Sequence, residues 1–369
     1  MCYHANMKII VTAGGQGTKL WPYSREDKPK QFQSIVGETS TCTETINTLL
    51  TKFAPEDIFV STKRRFIKYI SEQAPRVPLK NYIIEPDAAK DTGPGHGLAF
   101  LYLKVHFPDE PFFLVQADCI RKPEAAFLQM IEDAGRLVER DKTFLTGGIK
   151  ATEASIGVDY LQLGERVKTD SKQEIYAVDS FLGRRSSYRE TRELIENFHV
   201  VTHCNHYCWY PGLMLDAYKK YRPEWYDALT HIEAAMGQPG EDAAIEAIYN
   251  DMDKGSTEEV TKHLMESGEA RVVLLPFKWT DVGTWGSVYE FFVDGDGRGN
   301  LEDGTVVAVD TTGSLIKTSN PKKLVAVAGL HDVIIVDTDD ALLVIPKDQV
   351  EKIKDIQAEL KTRGQTEYL

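Results

Sequence analysis

Two textures of hydrophobic patterning alternate along the first three hundred residues. Short runs of β-branched and aromatic residues read as buried strands over 8–11, 57–61, 81–84 and 111–117. Between them, apolar residues recur at helical spacing over 44–53, 66–74 and 94–107, the last opened by a proline suited to a first helical turn. This alternation predicts an α/β fold: a mostly parallel, Rossmann-like sheet with helices on both faces. From residue 299 the texture becomes β-rich with glycine turns, and a charged helix is expected over 349–362. The stretch DGDGRG at 294–299 has linker character, so a large domain over 7–295 and a small β-rich domain over 296–369 are expected.

The loop after the first strand carries the strongest chemical signal. Its sequence over 12–32 is TAGGQGTKLWPYSREDKPKQF, and it leaves a strand's carboxyl end, where open α/β sheets bind ligands. Gly14, Gly15 and Gly17 let backbone N–H groups face phosphate oxygens, and Lys19, Arg25, Lys28 and Lys30 add positive charge. The P-loop spacing is absent, because no Gly-Lys-Ser/Thr follows four residues after a glycine. A dinucleotide fingerprint fails as well, since Leu20-Trp21-Pro22 would interrupt the helix it requires.

Two aspartates, Asp118 and Asp281, each follow an apolar run, PFFLVQAD and VVLLPFKWTD, and are expected at one edge of the sheet. Phosphoryl chemistry needs a hard cation beside the reacting oxygens, and Mg²⁺ accepts one or two protein carboxylates while keeping waters and phosphates.

Together these motifs resemble the sugar-1-phosphate nucleotidyltransferases. The Leu-Trp-Pro and Pro-Lys-Gln-Phe combination is similar to the mannose-1-phosphate guanylyltransferases in particular. The resemblance implies joining of a nucleoside triphosphate, GTP, to a sugar 1-phosphate with release of pyrophosphate. It implies Lys30 at the reacting phosphates, Lys19 and Arg25 at the triphosphate, and Gly14, Gly15, Gly17 and Thr18 in the nucleotide loop. Asp118 and Asp281 correspond to the family's Mg²⁺ ligands, although Cys119 stands where histidine is usual. Glu85, in Ile84-Glu85-Pro86, and Thr92, in Asp91-Thr92-Gly93-Pro94, correspond to the nucleobase segment.

On the acceptor side the motifs diverge. The family's Phe-Val-Glu-Lys-Pro becomes Phe181-Leu182-Gly183-Arg184-Arg185, which removes the glutamate that touches the sugar. Arg184 offers a fork for the sugar phosphate instead. Asn205-His206-Tyr207 replaces Asn-Ser-Gly, Gly157-Val158-Asp159-Tyr160 replaces Gly-Tyr-Gly-Tyr, and Glu259-Val260-Thr261 replaces Ser-Ile-Asp. Arg184, Asn205 and Gly157 are the expected substrate contacts. Two readings follow: an enzyme for mannose 1-phosphate or another sugar or nucleotide, or a catalytically weak binding relative.

The segment LVAVAGLHDVIIVDTDDALLVIPKD at 324–348 also resembles the guanylyltransferases, whose small β-rich domain often contributes to a homodimer. The phosphomannose isomerase domain fused to longer bacterial relatives is not expected here.

Composition narrows the setting. A net charge of −13 over 369 residues argues against a nucleic-acid partner. No apolar stretch or leader suggests a membrane or secretory route, so a cytoplasmic protein is expected, with residues 1–6 as an extension outside the fold. Five cysteines fit reduced thiols better than a disulfide framework. His199, His203, Cys204, His206 and Cys208 lie close together, but on an extended strand they cannot close a tetrahedron, so a structural role is expected.

Overall fold

Residues Lys8–Thr12 form strand β1, which is buried at every position but the last. A computed structural model of the chain describes residues 7–15, 17–152, 154–155, 158–169, 172–293 and 299–369. The extension over 1–6 and the expected boundary at 295/296 lie outside the described residues.

Further strands are β2 Ile58–Lys63, β3 Tyr82–Glu85, β4 Phe112–Gln116, β5 Cys119–Lys122, β6 Leu145–Lys150, β7 Tyr160–Arg166, β8 Ile175–Gly183, β9 Val200–Trp209, β10 Arg271–Leu274 and β11 Lys278–Asp281. The helices are α1 Thr41–Leu50, α2 Ile67–Gln73, α3 Thr92–His106, α4 Glu124–Asp141, α5 Tyr188–Asn197, α6 Pro211–Tyr221, α7 Pro223–Ala235, α8 Glu241–Asp251, α9 Glu258–Glu266, α10 Trp285–Phe292 and α11 Ile353–Thr362. The small strands β12 Leu301–Asp303, β13 Val306–Val309, β14 Leu315–Thr318, β15 Val325–Ala328, β16 Val333–Asp337 and β17 Leu342–Pro346 follow α10.

Contacts divide the chain into two compact units. One comprises the segment ending at Gly14 with Leu49–Gln116 and Pro123–Phe277; the other comprises Gly15–Thr48, Ala117–Lys122 and Lys278–Leu369. The first unit holds a nine-stranded sheet in the order β3-β2-β1-β4-β9-β6-β10-β8-β7. Its β3-β2-β1-β4 block and the β6/β10 pair are parallel, as expected for an α/β fold. Strand β9 pairs antiparallel with β4, β6 and β7, a direction that apolar patterning does not encode. The core includes Phe59, Phe100, Phe112, Tyr218 and Trp225. Burying such side chains stabilises by about 1.5–3 kcal/mol each.

The second unit contains the β5/β11 ribbon and, after α10, a four-stranded sheet β12-β14-β16-β17 and a two-stranded sheet β13-β15. Parallel stacking of β12, β14 and β16, and of β13 on β15, gives successive rungs of one coil. Trp285 is fully buried in this unit's core and its indole N–H donates to the carbonyl of Trp21 at 3.0 Å. One expectation is corrected: the run ending at Asp281 is not one strand. Pro276 separates β10, which joins the large sheet, from β11, which pairs with β5.

Candidate active site

Within the second unit, β5 and β11 run antiparallel with Asp281 opposite Cys119, the neighbour of Asp118. The backbone N–H of Val282 donates to the carbonyl of Asp118 at 3.0 Å, which fixes the two aspartate-bearing turns together. Lys30, on a short 3-10 turn Lys30–Phe32, joins them. Its Nζ lies 2.9 Å from Oδ2 of Asp118 and donates to the carbonyl of Val282 at 2.9 Å.

The electrostatics follow from this arrangement. Burial opposes charge on Lys30, but attraction to Asp118 and Asp281 holds its ammonium above the ordinary lysine value. Burial likewise opposes the Asp118 carboxylate, and Lys30 still holds it below the usual range. Asp281 goes the other way: desolvation raises its carboxyl, Lys30 partly offsets this, and the Asp118 charge adds to the rise. The two carboxylates offer hard oxygen donors beside the Lys30 ammonium, with Arg121 also acting on Asp118 and Lys19 on Asp281. This donor set fits a hard divalent cation, which takes few protein carboxylates.

Gly17 explains how the loop admits the lysine. Its φ is +55°, and a Cβ there would lie 2.5 Å from Cγ of Lys30. The carbonyl of Gly15 accepts from the Gln31 side-chain amide at 2.8 Å, tying the loop to the lysine turn. The Thr18 side chain lies outside the described ones. Lys19 is half exposed and pairs loosely with Glu351 at 3.6 Å. Arg25 is engaged elsewhere: its Nη2 lies 2.8 Å from Oδ1 of Asp340, its Nε donates to the carbonyl of Pro22, and its guanidinium lies over Trp21. The structure therefore groups Lys30, Asp118 and Asp281, while Arg25 is turned toward the C-terminal rungs.

Within the first unit, Glu85 ends β3 and is buried. Ser61 Oγ donates to its Oε1 at 2.8 Å, and a Cβ on Gly14 would lie 3.3 Å from Oε1. Burial holds the Glu85 carboxyl above its ordinary value against Ser61, Lys63 and Tyr249. Asp91 caps α3 by accepting from the Thr92 N–H at 2.8 Å. Thr92 Oγ1 accepts from the Thr257 N–H at 3.0 Å, and Thr257 Oγ1 lies 2.8 Å from Nδ1 of half-buried His96.

The acceptor-side residues are also in this unit. Arg184 Nε lies 3.3 Å from Oδ2 of Asp159. Asn205 adopts φ +51°, and its Oδ1 accepts from the Tyr207 hydroxyl at 2.8 Å. Gly157 lies outside the described residues. Sequence reasoning missed Glu258, whose carboxyl burial and Asp159 raise against the opposing effect of Asn205 and Arg184, and Tyr249, whose hydroxyl burial and Glu85 push up. Neither belongs to a recognisable motif; each arrives on a helix distant in sequence from its partner. Of the histidines and cysteines on β9, His203 is buried with Nε2 2.8 Å from Thr146 Oγ1, and Cys204 and Cys208 are buried free thiols.

Residues 8–163 match the nucleotidyl transferase family model, and residues 304–360 match the MannoseP isomerase/GMP-like beta-helix domain. The chain is a nucleotidyltransferase of α/β fold with a β-helical C-terminal part. It is 30% identical over 365 residues to the putative mannose-1-phosphate guanylyltransferase of Vibrio cholerae, covering 97% of this chain and 75% of that protein. A mannose-1-phosphate guanylyltransferase of Escherichia coli is 30% identical over 368 residues, with the same 97% and 75% coverage. The crystal structure of mannose-1-phosphate geranyltransferase from Thermus thermophilus shares the fold, with a TM-score of 0.84 over 96% of this chain and 99% of that one at 24% identity. The chain belongs to the mannose-1-phosphate guanylyltransferase family.

Proposed function

We propose that the protein transfers GMP from GTP to mannose 1-phosphate, giving GDP-mannose and pyrophosphate. A phosphate oxygen of the sugar 1-phosphate attacks the α-phosphorus, the bond from that phosphorus to the β-phosphate's bridging oxygen breaks, and pyrophosphate leaves with the bond's electron pair. No covalent enzyme intermediate is needed, so positioning and charge neutralisation carry the rate. The observation that carries this reading is Lys30 held beside Asp118 and Asp281 in a chain of this family.

Lys30 is assigned to the reacting phosphates. The loop of Gly14, Gly15, Gly17 and Thr18, with Lys19, is assigned to the triphosphate; Arg25 would join it on leaving its ion pair with Asp340. Asp118 and Asp281 would hold Mg²⁺, which supplies charge neutralisation at phosphate oxygens when bound. Glu85 and Thr92 are assigned to the guanine side, where a carboxylate accepts from the base's N–H donors. Arg184 and Asn205 are assigned to the sugar phosphate and the sugar, and Gly157 to the same substrate.

A homodimer through the C-terminal rungs is part of the same reading. Val307 and Val309 are exposed on β13, and Ala326 and Ala328 lie exposed beside them in register on β15, an apolar row suited to a second copy. Sedimentation of Val309→Glu as a monomer beside a dimeric parent would support it; a monomeric parent would contradict it. A cytoplasmic location is supported by two observations among the described residues. No helix is long and apolar enough to cross a membrane, and the cysteines are free thiols. Pyrophosphate release across a grid of nucleoside triphosphates and sugar 1-phosphates tests the substrate assignment, with GTP and mannose 1-phosphate expected to give the highest kcat/KM.

A further inference from the structure

Two cations of the glycine loop end on carboxylates from the C-terminal part of their own unit. Arg25 Nη2 lies 2.8 Å from Oδ1 of Asp340, in the turn between β16 and β17. Lys19 Nζ lies 3.6 Å from Oε1 of Glu351, just before α11. Both cations belong to the set assigned above to the triphosphate, so each already faces an anion that the chain itself supplies.

The Arg25 pair is anchored at both ends. The backbone N–H of Arg25 donates to the Lys28 carbonyl at 3.0 Å, its Nε donates to the Pro22 carbonyl at 2.7 Å, and its guanidinium lies over Trp21. Oδ1 of Asp340 accepts from the Thr338 hydroxyl at 2.9 Å, in a turn closed by the Thr338 N–H donating to the Ala341 carbonyl at 2.8 Å. Between these ends the contact runs through one guanidinium nitrogen, where a carboxylate or phosphate can take two in a fork. The Arg25 side chain is 12% exposed and that of Asp340 50%. An ion pair with one end in water contributes little and yields to a stronger partner. A triphosphate, with several negative charges and paired oxygens, is such a partner. Lys19 and Glu351 form a still looser pair, beyond hydrogen-bond distance and exposed on both sides.

Exchange of partners needs only a side-chain movement, because the loop backbone is held separately. The Trp285 indole donates to the Trp21 carbonyl at 3.0 Å, and Arg25 and Lys28 bond each other's backbone. We propose that Asp340 is a stand-in counterion for Arg25, with Glu351 in the lesser role at Lys19. Its carboxylate competes with the triphosphate that enters and with the pyrophosphate that leaves, and so lowers the affinity for both. After transfer, the return of Arg25 to Asp340 eases pyrophosphate out. The inference rests on the nucleotidyl-transfer reading above.

The test follows GDP-mannose formation by the full-length protein, with mannose 1-phosphate and Mg²⁺ saturating. Asp340→Asn removes the charge and keeps an Oδ1 to accept from Thr338. It is expected to lower both KM for GTP and the inhibition constant of added pyrophosphate about two- to five-fold, with KM for mannose 1-phosphate changed less than about 1.5-fold. Asp340→Glu, which restores the charge, should return both constants toward the parental values. Arg25→Gln is expected to raise KM for GTP, and adding Asp340→Asn to it should change that KM no further, since the competition is already gone. Thermal melting checks that the variants fold, and Asp340→Ser takes the place of the asparagine variant if that one is unfolded. Unchanged constants in folded Asp340→Asn, or a raised KM for GTP, would overturn the role of Asp340 while leaving nucleotidyl transfer intact. A parent that releases no pyrophosphate with any nucleoside triphosphate and sugar 1-phosphate would instead overturn the reading on which it rests.

Discussion

Nζ of Lys30 lies 2.9 Å from Oδ2 of Asp118, and its second hydrogen bond reaches the carbonyl of Val282, the residue after Asp281. One ammonium therefore spans both aspartate-bearing turns. This makes Lys30 the organising cation of the site as well as the residue assigned to the reacting phosphates. Lys30→Met is expected to lower turnover about 10²–10³-fold, the usual cost of deleting a preorganised charge-stabilising group. Circular dichroism should show the fold retained, and turnover near the parental rate would remove Lys30 from the mechanism.

Gly17 is the point at which backbone and lysine compete for space. Gly17→Ala meets a φ of +55° and would place its Cβ 2.5 Å from Cγ of Lys30. The backbone strain alone is about 1–2 kcal/mol. The larger effect is expected on rate, since displacing a reacting group by about 1 Å can cost about 10²-fold. Steady-state kinetics with melting curves separates the two: turnover should fall much further than stability.

Trp285 offers a test of the core on which the loop rests. Trp285→Phe keeps an aromatic in the core but leaves the Trp21 carbonyl without its 3.0 Å indole donor. The expected loss is about 1–3 kcal/mol, read from the midpoint of denaturant unfolding.

Half-buried His96 and buried His203 give the folding stability an acid side. His96 is held neutral by burial, its pKa lowered to about 4 against the pull of Asp91, and burial lowers His203 to about 3. Below the unfolded-chain value near 6.5, the unfolded state binds protons that the folded state refuses. These sites therefore make stability fall as pH drops from about 6.5 toward 4, with no contribution from them above that window. For His96 the effect is bounded at about 3 kcal/mol. Unfolding free energies at pH 7 and pH 5 should differ less in His96→Asn and His203→Asn than in the parent; an equal difference would contradict this.

Much of this was readable in the chain before its structure. The glycine loop lies next to the PKQF lysine in sequence, and both aspartates follow recognisable apolar runs, so local pattern sufficed to nominate Lys30, Asp118 and Asp281. The helices over 41–50, 67–73 and 92–106 fall within a few residues of their expected bounds. What could not be read depends on pairing at long range. The hydrophobic run before Asp281 is continuous in texture, yet Pro276 divides it between two sheets. Asp159 and Arg184 act on the Glu258 carboxyl, and Glu85 on the Tyr249 hydroxyl, from far along the chain. Arg25 carries the charge expected of a phosphate ligand but is turned to Asp340, a partner that only the folded C-terminal rungs supply.

The most direct measurement of the central claim is pyrophosphate release by the parent and by Asp281→Asn, with GTP and mannose 1-phosphate, over a titration of Mg²⁺. The parent should release pyrophosphate only when both substrates and Mg²⁺ are present. Asp281→Asn should fold normally, require more Mg²⁺ and lose about 10²-fold or more in turnover. Release that is independent of the sugar phosphate, or an Asp281→Asn protein with parental turnover and Mg²⁺ dependence, would contradict the account.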